Sequence, residues 1–171
     1  MNTLTCVESI RNIFDLGVVI EAVKNLKEKG LEMNFGEFAK YLFFGEGYHE
    51  LTPPQLTEKM KKSVDKLLII DLRESKKHEK NSIEGANSLP FDDLLRSVLV
   101  DQEFTEYLEK EIILVCDTGQ KSRVAASILA EEGFKKIYNL KGGMRRWNRW
   151  QELLSFYNNL KCKQLLGCPN F

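Results

Sequence analysis

One stretch, residues 111–133, constrains the fold of this chain more than any other. It reads Glu111-Ile-Ile-Leu-Val-Cys116-Asp-Thr-Gly-Gln-Lys-Ser-Arg123, then Val124-Ala-Ala-Ser-Ile-Leu-Ala-Glu-Glu-Gly133. Ile112 to Val115 is apolar and β-rich without alternation, which predicts a strand buried on both faces. Asp117 to Ser122 is polar and carries one glycine, so the chain turns there. Val124, Ala125, Ile128 and Leu129 recur at helical spacing, and Gly133 stands where a residue just past a helix belongs. The expected order is strand, tight loop, helix, with a cysteine at the end of the strand.

That order has a chemical consequence. The first N–H groups of a helix lack partners and carry the positive end of its dipole. A loop wrapped in front of them turns further N–H groups toward one point and makes an anion nest. A cysteine at that point is favoured as a thiolate near neutral pH. Lys121 and Arg123 add positive charge, and Asp117 partly opposes it. Free cysteines are also common as small core residues, but the glycine-containing polar loop and the helix after it favour a nucleophile.

These residues resemble the active loop of the rhodanese-like family, Cys-x-x-Gly-x-Arg-Ser, which stands here as Cys116-x-x-Gly119-x-Lys121-Ser122. Leu68-Ile-Ile-Asp71-Leu-Arg73-Glu74 is similar to the family's strand ending in Asp-x-Arg-Glu. Ile83-Glu-Gly85-Ala86-Asn87 is similar to its Ile-Pro-Gly-Ala element, with Glu84 in place of proline and Asn81-Ser82 where many members have Gly-His. Tyr138-Asn-Leu-Lys-Gly142-Gly143-Met-x-x-Trp147 is similar to its Leu-x-Gly-Gly-x-x-x-Trp signature. The four motifs occur in the family's order.

The resemblance implies a three-layer α/β/α fold with a central parallel sheet of about five strands. The domain would span residues 48–150, with helical extensions at 1–47 and 151–171. It also implies a sulfurtransferase. Cys116 would take sulfane sulfur as a persulfide from a small anionic donor such as thiosulfate, and pass it to a thiol or a sulfur-carrier acceptor. Backbone N–H groups of Asp117, Thr118, Gly119, Gln120, Lys121 and Ser122 would hold the persulfide, and Lys121 and Arg123 would attract the donor. Lys121 replaces the family's common arginine, keeping the charge but losing bidentate geometry. No cofactor and no metal is expected, and no histidine base is needed.

Three other readings compete. Phosphatases of related folds use a Cys-x5-Arg loop, but the residue six after Cys116 is Ser122, and Arg123 falls one further on. A non-catalytic, regulatory or partner-binding module would leave the work to the helical ends. A redox sensor would use Cys162 or Cys168 to resolve an oxidised Cys116.

Composition narrows the setting. With 171 residues, 43% hydrophobic and 29% charged, the chain has material for one soluble domain with a core. A formal net charge of zero provides no global field toward nucleic acid or membrane. No apolar run approaches the roughly 20 residues of a membrane span, and a secretory leader is not expected. The expectation is a cytoplasmic protein whose cysteines, Cys6 among them, are reduced.

The flanks carry their own signals. Thr5–Glu8 and Asn34–Glu37 each match a capping box. Val18, Val19, Ala22, Val23 and Leu26 form one helix face, and Phe35, Phe38, Ala39, Leu42 and Phe43 another. Packing of these faces on the catalytic domain or on a second copy is the favoured reading, with a partner surface or a lid over the loop as the alternative. Asp71 and Arg73 are expected as a structural pair, His49 as structural and His78 as a solvated loop residue. Met144, Trp147, Trp150 and Leu154 form a stripe expected to dock, with the N-terminal helices as the suggested surface. Six bases between Lys135 and Arg149 are read as a solvated face, with a site for an acidic carrier protein or for tRNA as the alternative.

Overall fold

The computed structural model describes residues 16–28, 30–31, 33–62, 67–101 and 103–166. The Thr5–Glu8 capping box, Cys6 and Cys168 lie outside these residues, as do the side chains of Val18, Val19 and Cys162. In chain order the elements are α1 (Leu16–Glu28), α2 (Phe35–Phe44), β1 (His49–Leu51), α3 (Pro53–Lys62), β2 (Leu67–Asp71), α4 (Ser75–Lys80) and β3 (Ala86–Ser88). Then follow α5 (Phe91–Leu99), a 3-10 turn (Glu103–Tyr107), β4 (Glu111–Val115), α6 (Gln120–Glu131), β5 (Ile137–Leu140) and α7 (Gly143–Leu166).

The five strands form one sheet in the order β1-β5-β4-β2-β3, and every pairing is parallel. Its centre is β4, where Ile113 sits between Ile69 of β2 and Tyr138 of β5. Centrality explains the unbroken apolar run: Ile112, Ile113, Leu114 and Val115 are all fully buried because helices cover both faces. Alternation sorts these side chains between two cores. Ile112, Leu114 and Cys116 join α1, α2, α5 and α6 on one face. Ile113 and Val115 join Leu56 of α3 with Met144 and Trp147 of α7 on the other.

The N-terminal helices pack on the domain that holds the sheet, as favoured from sequence. Ala22, Leu26, Phe38 and Leu42 share a core with α5 and α6, and Phe38 meets Phe91 edge-to-face at a ring separation of 6.1 Å. The expected capping box opens α2: the Glu37 N–H donates to Asn34 Oδ1 at 3.0 Å, and the Asn34 N–H donates to Glu37 Oε2 at 2.9 Å. Tyr41 holds the helix to α6 by donating to Glu131 Oε2 at 2.7 Å.

Two expectations are corrected. The aromatic stripe of α7 docks on α3, on the sheet face opposite the N-terminal helices, and Trp150 Nε1 donates to Thr57 Oγ1 at 3.2 Å. Its continuation, with Leu153, Phe156, Tyr157 and Leu160, is exposed. His78 is not a solvated loop residue. It lies on α4 with Nδ1 3.2 Å from Asp71 Oδ2, because the short helix after β2 folds back over the strand end. His49 sits on edge strand β1 with its ring 5.6 Å from that of Tyr138.

Candidate active site

Parallel strands deliver their C-terminal ends to one edge of the sheet, where ligands of open α/β folds are held. Here β2 and β4 are adjacent and end at Asp71 and Val115, so the segments that follow, 72–74 and 116–119, rise side by side. Leu72 N–H donates to Val115 O at 2.8 Å and ties them together.

Cys116 is the first residue past β4, 3% exposed. The Gly119 N–H donates to its Sγ at 3.1 Å and the Ser122 N–H reaches it at 3.4 Å. Ser122 Oγ lies 3.3 Å from the same sulfur. Of the six expected N–H groups, those of Gly119 and Ser122 converge on the sulfur, with α6 beginning at Gln120. Gly119 makes this possible: its φ of 87° lies in the left-handed region, and a Cβ there would stand 2.9 Å from Gly142 N. Gly143 allows a second close approach, since a Cβ at that residue would stand 2.2 Å from Cys116 O. Without it, the Met144 N–H donates to Cys116 O at 2.8 Å and the Arg145 N–H to Asp117 O at 3.1 Å. The start of α7 thus clamps the loop from outside.

Above the sulfur is a cavity of about 220 Å³. Thr118 and Lys121 line it with Asp117, and Arg73, Lys77 and Arg145 bring further cations. Lys77 Nζ lies 2.8 Å from Asp117 Oδ2, and Arg73 Nη1 3.9 Å from Asp117 Oδ1. The hydrogen bond that Lys77 donates to Asp117 holds its ammonium above the ordinary lysine range. Lys121 Nζ also stands 5.9 Å from the Phe91 ring centroid.

At the cavity wall, Arg73 reaches back to Asp71, and the two form the expected structural pair. Arg73 Nε donates to Asp71 Oδ1 at 3.0 Å and Nη2 to Oδ2 at 2.7 Å, and Nη2 also donates to Asn81 O. Burial acts to raise the Asp71 carboxyl, but the side-chain and backbone hydrogen bonds from Arg73, its charge and the contact with His78 outweigh it. The carboxyl is held below the usual carboxylate range.

The structure redistributes one sequence-predicted role. Arg123 does not line the cavity. Its Nη2 is 2.6 Å from Glu50 Oε1, and Lys141 Nζ is 3.2 Å from Glu50 Oε2. One turn into α6, Arg123 points toward β1, away from the anion site. Arg145, read from sequence as part of a solvated basic face, takes a place at the cavity instead. Three further residues escaped the sequence reading. Lys77 and Asn25 of α1 line the cavity, and Asn139 of β5 accepts from Ser122 Oγ at 2.7 Å. The only hint of Asn139 was a polar residue inside the apolar run Ile137–Leu140.

The family model described as the Rhodanese-like domain matches residues 52–149. The chain belongs to the rhodanese-like family. Among relatives of this rhodanese-like protein, YrkF of Bacillus subtilis (strain 168), named as a candidate sulfur carrier protein, is 35% identical over 94 residues, 53% of this chain and 48% of its own length. Thiosulfate sulfurtransferase GlpE of Pseudoalteromonas translucida is 31% identical over 81 residues, 47% of this chain and 72% of that enzyme. The rhodanese-like chain therefore spans about half the length of YrkF. Among solved structures, the single-domain sulfurtransferase RDL2 of Saccharomyces cerevisiae superposes with a TM-score of 0.51 at 20% identity, covering 63% of this chain and 94% of that one. A protein of unknown function from Rhodopseudomonas palustris, described as a possible tyrosine phosphatase, superposes with a TM-score of 0.57 at 19% identity, covering 71% and 93%. These likenesses show the fold. Among the described residues, no helix is long and apolar enough to cross a membrane.

Proposed function

We propose that this rhodanese-like protein is a sulfurtransferase that carries sulfane sulfur as a persulfide on Cys116. The observation supporting the reading is the convergence of the Gly119 N–H, the Ser122 N–H and the Ser122 hydroxyl on one sulfur beneath a cavity where Arg73, Lys77, Lys121 and Arg145 stand beside Glu74, Asp92 and Asp117. In the first half-reaction the Cys116 thiolate attacks the outer sulfur of a donor such as thiosulfate. An Sγ–S bond forms, the donor's S–S bond breaks, and sulfite leaves with the electron pair. In the second, an acceptor thiolate attacks the outer sulfur of the persulfide, and Cys116 departs as thiolate. Negative charge is conserved in each half.

Preorganised donors aimed at a moving charge are well suited to such a transfer. Lys121 and Arg145 would draw the dianionic donor into the cavity, and its small volume suits a compact oxyanion or the tip of a thiol-bearing group. The acceptor is a thiol or a sulfur-carrier protein in the cytoplasm. A Cys-x5-Arg phosphatase would need the loop's own arginine to present its fork to the bound oxyanion, whereas Arg123 is committed to Glu50. Geometry therefore favours sulfur transfer over the phosphatase reading.

Intact mass after incubation with thiosulfate tests the proposal. The expected result is a gain of one sulfur, about 32 Da, removed by cyanide or a thiol and absent from Cys116→Ser. A chain with a reactive Cys116 that gains no sulfur from thiosulfate, persulfidated thiols or polysulfide refutes it.

A further inference from the structure

Ser122 is fully buried, and its hydroxyl has one proton with two neighbours able to take it. Asn139 Oδ1 lies 2.7 Å from Ser122 Oγ, and Cys116 Sγ lies 3.3 Å from it. The amide oxygen is the closer and better acceptor while the sulfur is a neutral thiol. Ser122 Oγ then faces Sγ with a lone pair and accepts from the thiol S–H. Once Cys116 is a thiolate, the sulfur becomes an anionic acceptor, and the hydroxyl must leave Asn139 to donate to it. Asn139 is 1% exposed on β5 and does not line the cavity; its reach to the sulfur runs through Ser122.

We propose that Asn139 is a positioning residue that sets the reactivity of Cys116 by competing with its sulfur for the proton of Ser122. The inference rests on the reading of Cys116 as a reactive thiol. It also gives the hydroxyl a part in the cycle. When the persulfide forms, the negative charge moves from Sγ to the outer sulfur, Sγ becomes neutral, and the hydroxyl returns to Asn139. Asn139 therefore opposes the free thiolate and supports the loaded state.

The charged groups facing the sulfur stay constant across the variants that test this. They are Arg73, Glu74 and Lys77 after β2, Asp92 of α5, Asp117 and Lys121 of the loop and α6, and Arg145 of α7. The measurement is the pH profile of alkylation by iodoacetamide, read by peptide mass at Cys116 in the full chain. Asn139→Leu removes the competing acceptor at similar side-chain size. The expected midpoint falls by about 0.7 pH unit, a roughly fivefold change in the thiolate-to-thiol ratio, which is the size of one ordinary net hydrogen bond. On a Ser122→Ala background the same substitution leaves the midpoint where it was. A folded Asn139→Leu protein with an unmoved or raised midpoint overturns the proposal, as does a full shift that survives Ser122→Ala.

Replacing a buried residue can unfold the chain, so Ser122→Ala alone provides a second measurement. Its midpoint is expected to rise, because the donor to the thiolate is gone, and an unmoved midpoint overturns the proposal. Thiosulfate loading separates this inference from the proposed function. A wild-type chain that alkylates with the expected variant shifts yet gains no sulfur refutes sulfur transfer and leaves the role of Asn139 standing.

Discussion

Arg73→Met is the perturbation whose cost follows most directly from the structure. The Arg73 side chain is 7% exposed and that of Asp71 1%. Arg73 gives Asp71 two side-chain hydrogen bonds of 3.0 Å or less and a backbone N–H at 3.1 Å. Methionine keeps the backbone donor and much of the volume but leaves a buried carboxylate facing only that N–H and His78. Breaking one partner of such a pair costs ~3–5 kcal/mol, a large share of a typical stability of ~5–15 kcal/mol. At ~2–4 °C per kcal/mol for a chain of this size, Tm should fall by about 6–20 °C. The pH dependence gives the sign. The Asp71 carboxyl is held below its unfolded value, so in the wild type its stabilisation is complete above the unfolded carboxylate range and is lost as pH falls through the folded value. In Arg73→Met burial is no longer outweighed, the carboxyl rises, and its protonation relieves the strain. The gap between the proteins is thus widest near neutrality and closes as pH falls toward ~4 and below. Asp71→Asn/Arg73→Met should recover at least about half of the loss at pH 7. Calorimetry from pH 4 to 8 decides the matter. A loss under ~1 kcal/mol, or a gap that does not change with pH, would refute the reasoning.

Two further outcomes follow from the placement of side chains. Arg145 lines the cavity and Arg123 pairs with Glu50, so Arg145→Ala should raise KM for thiosulfate about fivefold, on the order of 1 kcal/mol for a partly screened charge. Arg123→Ala should leave KM within about twofold, and steady-state kinetics at low salt compares them. Phe38 is fully buried against Phe91, so Phe38→Ala should cost ~3–5 kcal/mol, with one thermal transition by circular dichroism. A second, separate transition would show that α1 and α2 fold independently of the sheet.

The parts that were legible in the sequence share a physical cause. A strand buried on both faces must be apolar throughout, so Ile112–Val115 announced the central strand. A glycine in a polar loop before a helix announced the nest, because few other residues meet φ near +90°. Asn34 and Glu37 announced their cap by spacing alone. Each of these signals is local, with cause and effect within a few residues. Arg123 shows where locality ends. Its charge and its nearness to Cys116 in sequence were both correct, yet one turn of helix aims it at β1. Conversely Arg145 lies 29 positions after Cys116 (145 − 116) and reaches the cavity because Gly142 and Gly143 bring α7 against the loop.

Asn139 depends on non-local placement more than any other residue of the site. Strand β5 neighbours β4 in register, with Leu114 opposite Asn139, so a side chain on β5 comes close to the loop that β4 projects. Nothing local to Ile137–Leu140 tells a buried asparagine that serves a loop from one that satisfies a neighbouring backbone group. Only the sheet order, β5 beside β4, places it at 2.7 Å from Ser122. Ser122 is itself held at the first turn of α6, where its N–H and its hydroxyl both turn toward the sulfur. The sulfur is thus governed at two levels. The loop's own sequence provides the donors, and the neighbouring strand decides how freely one of them can be given.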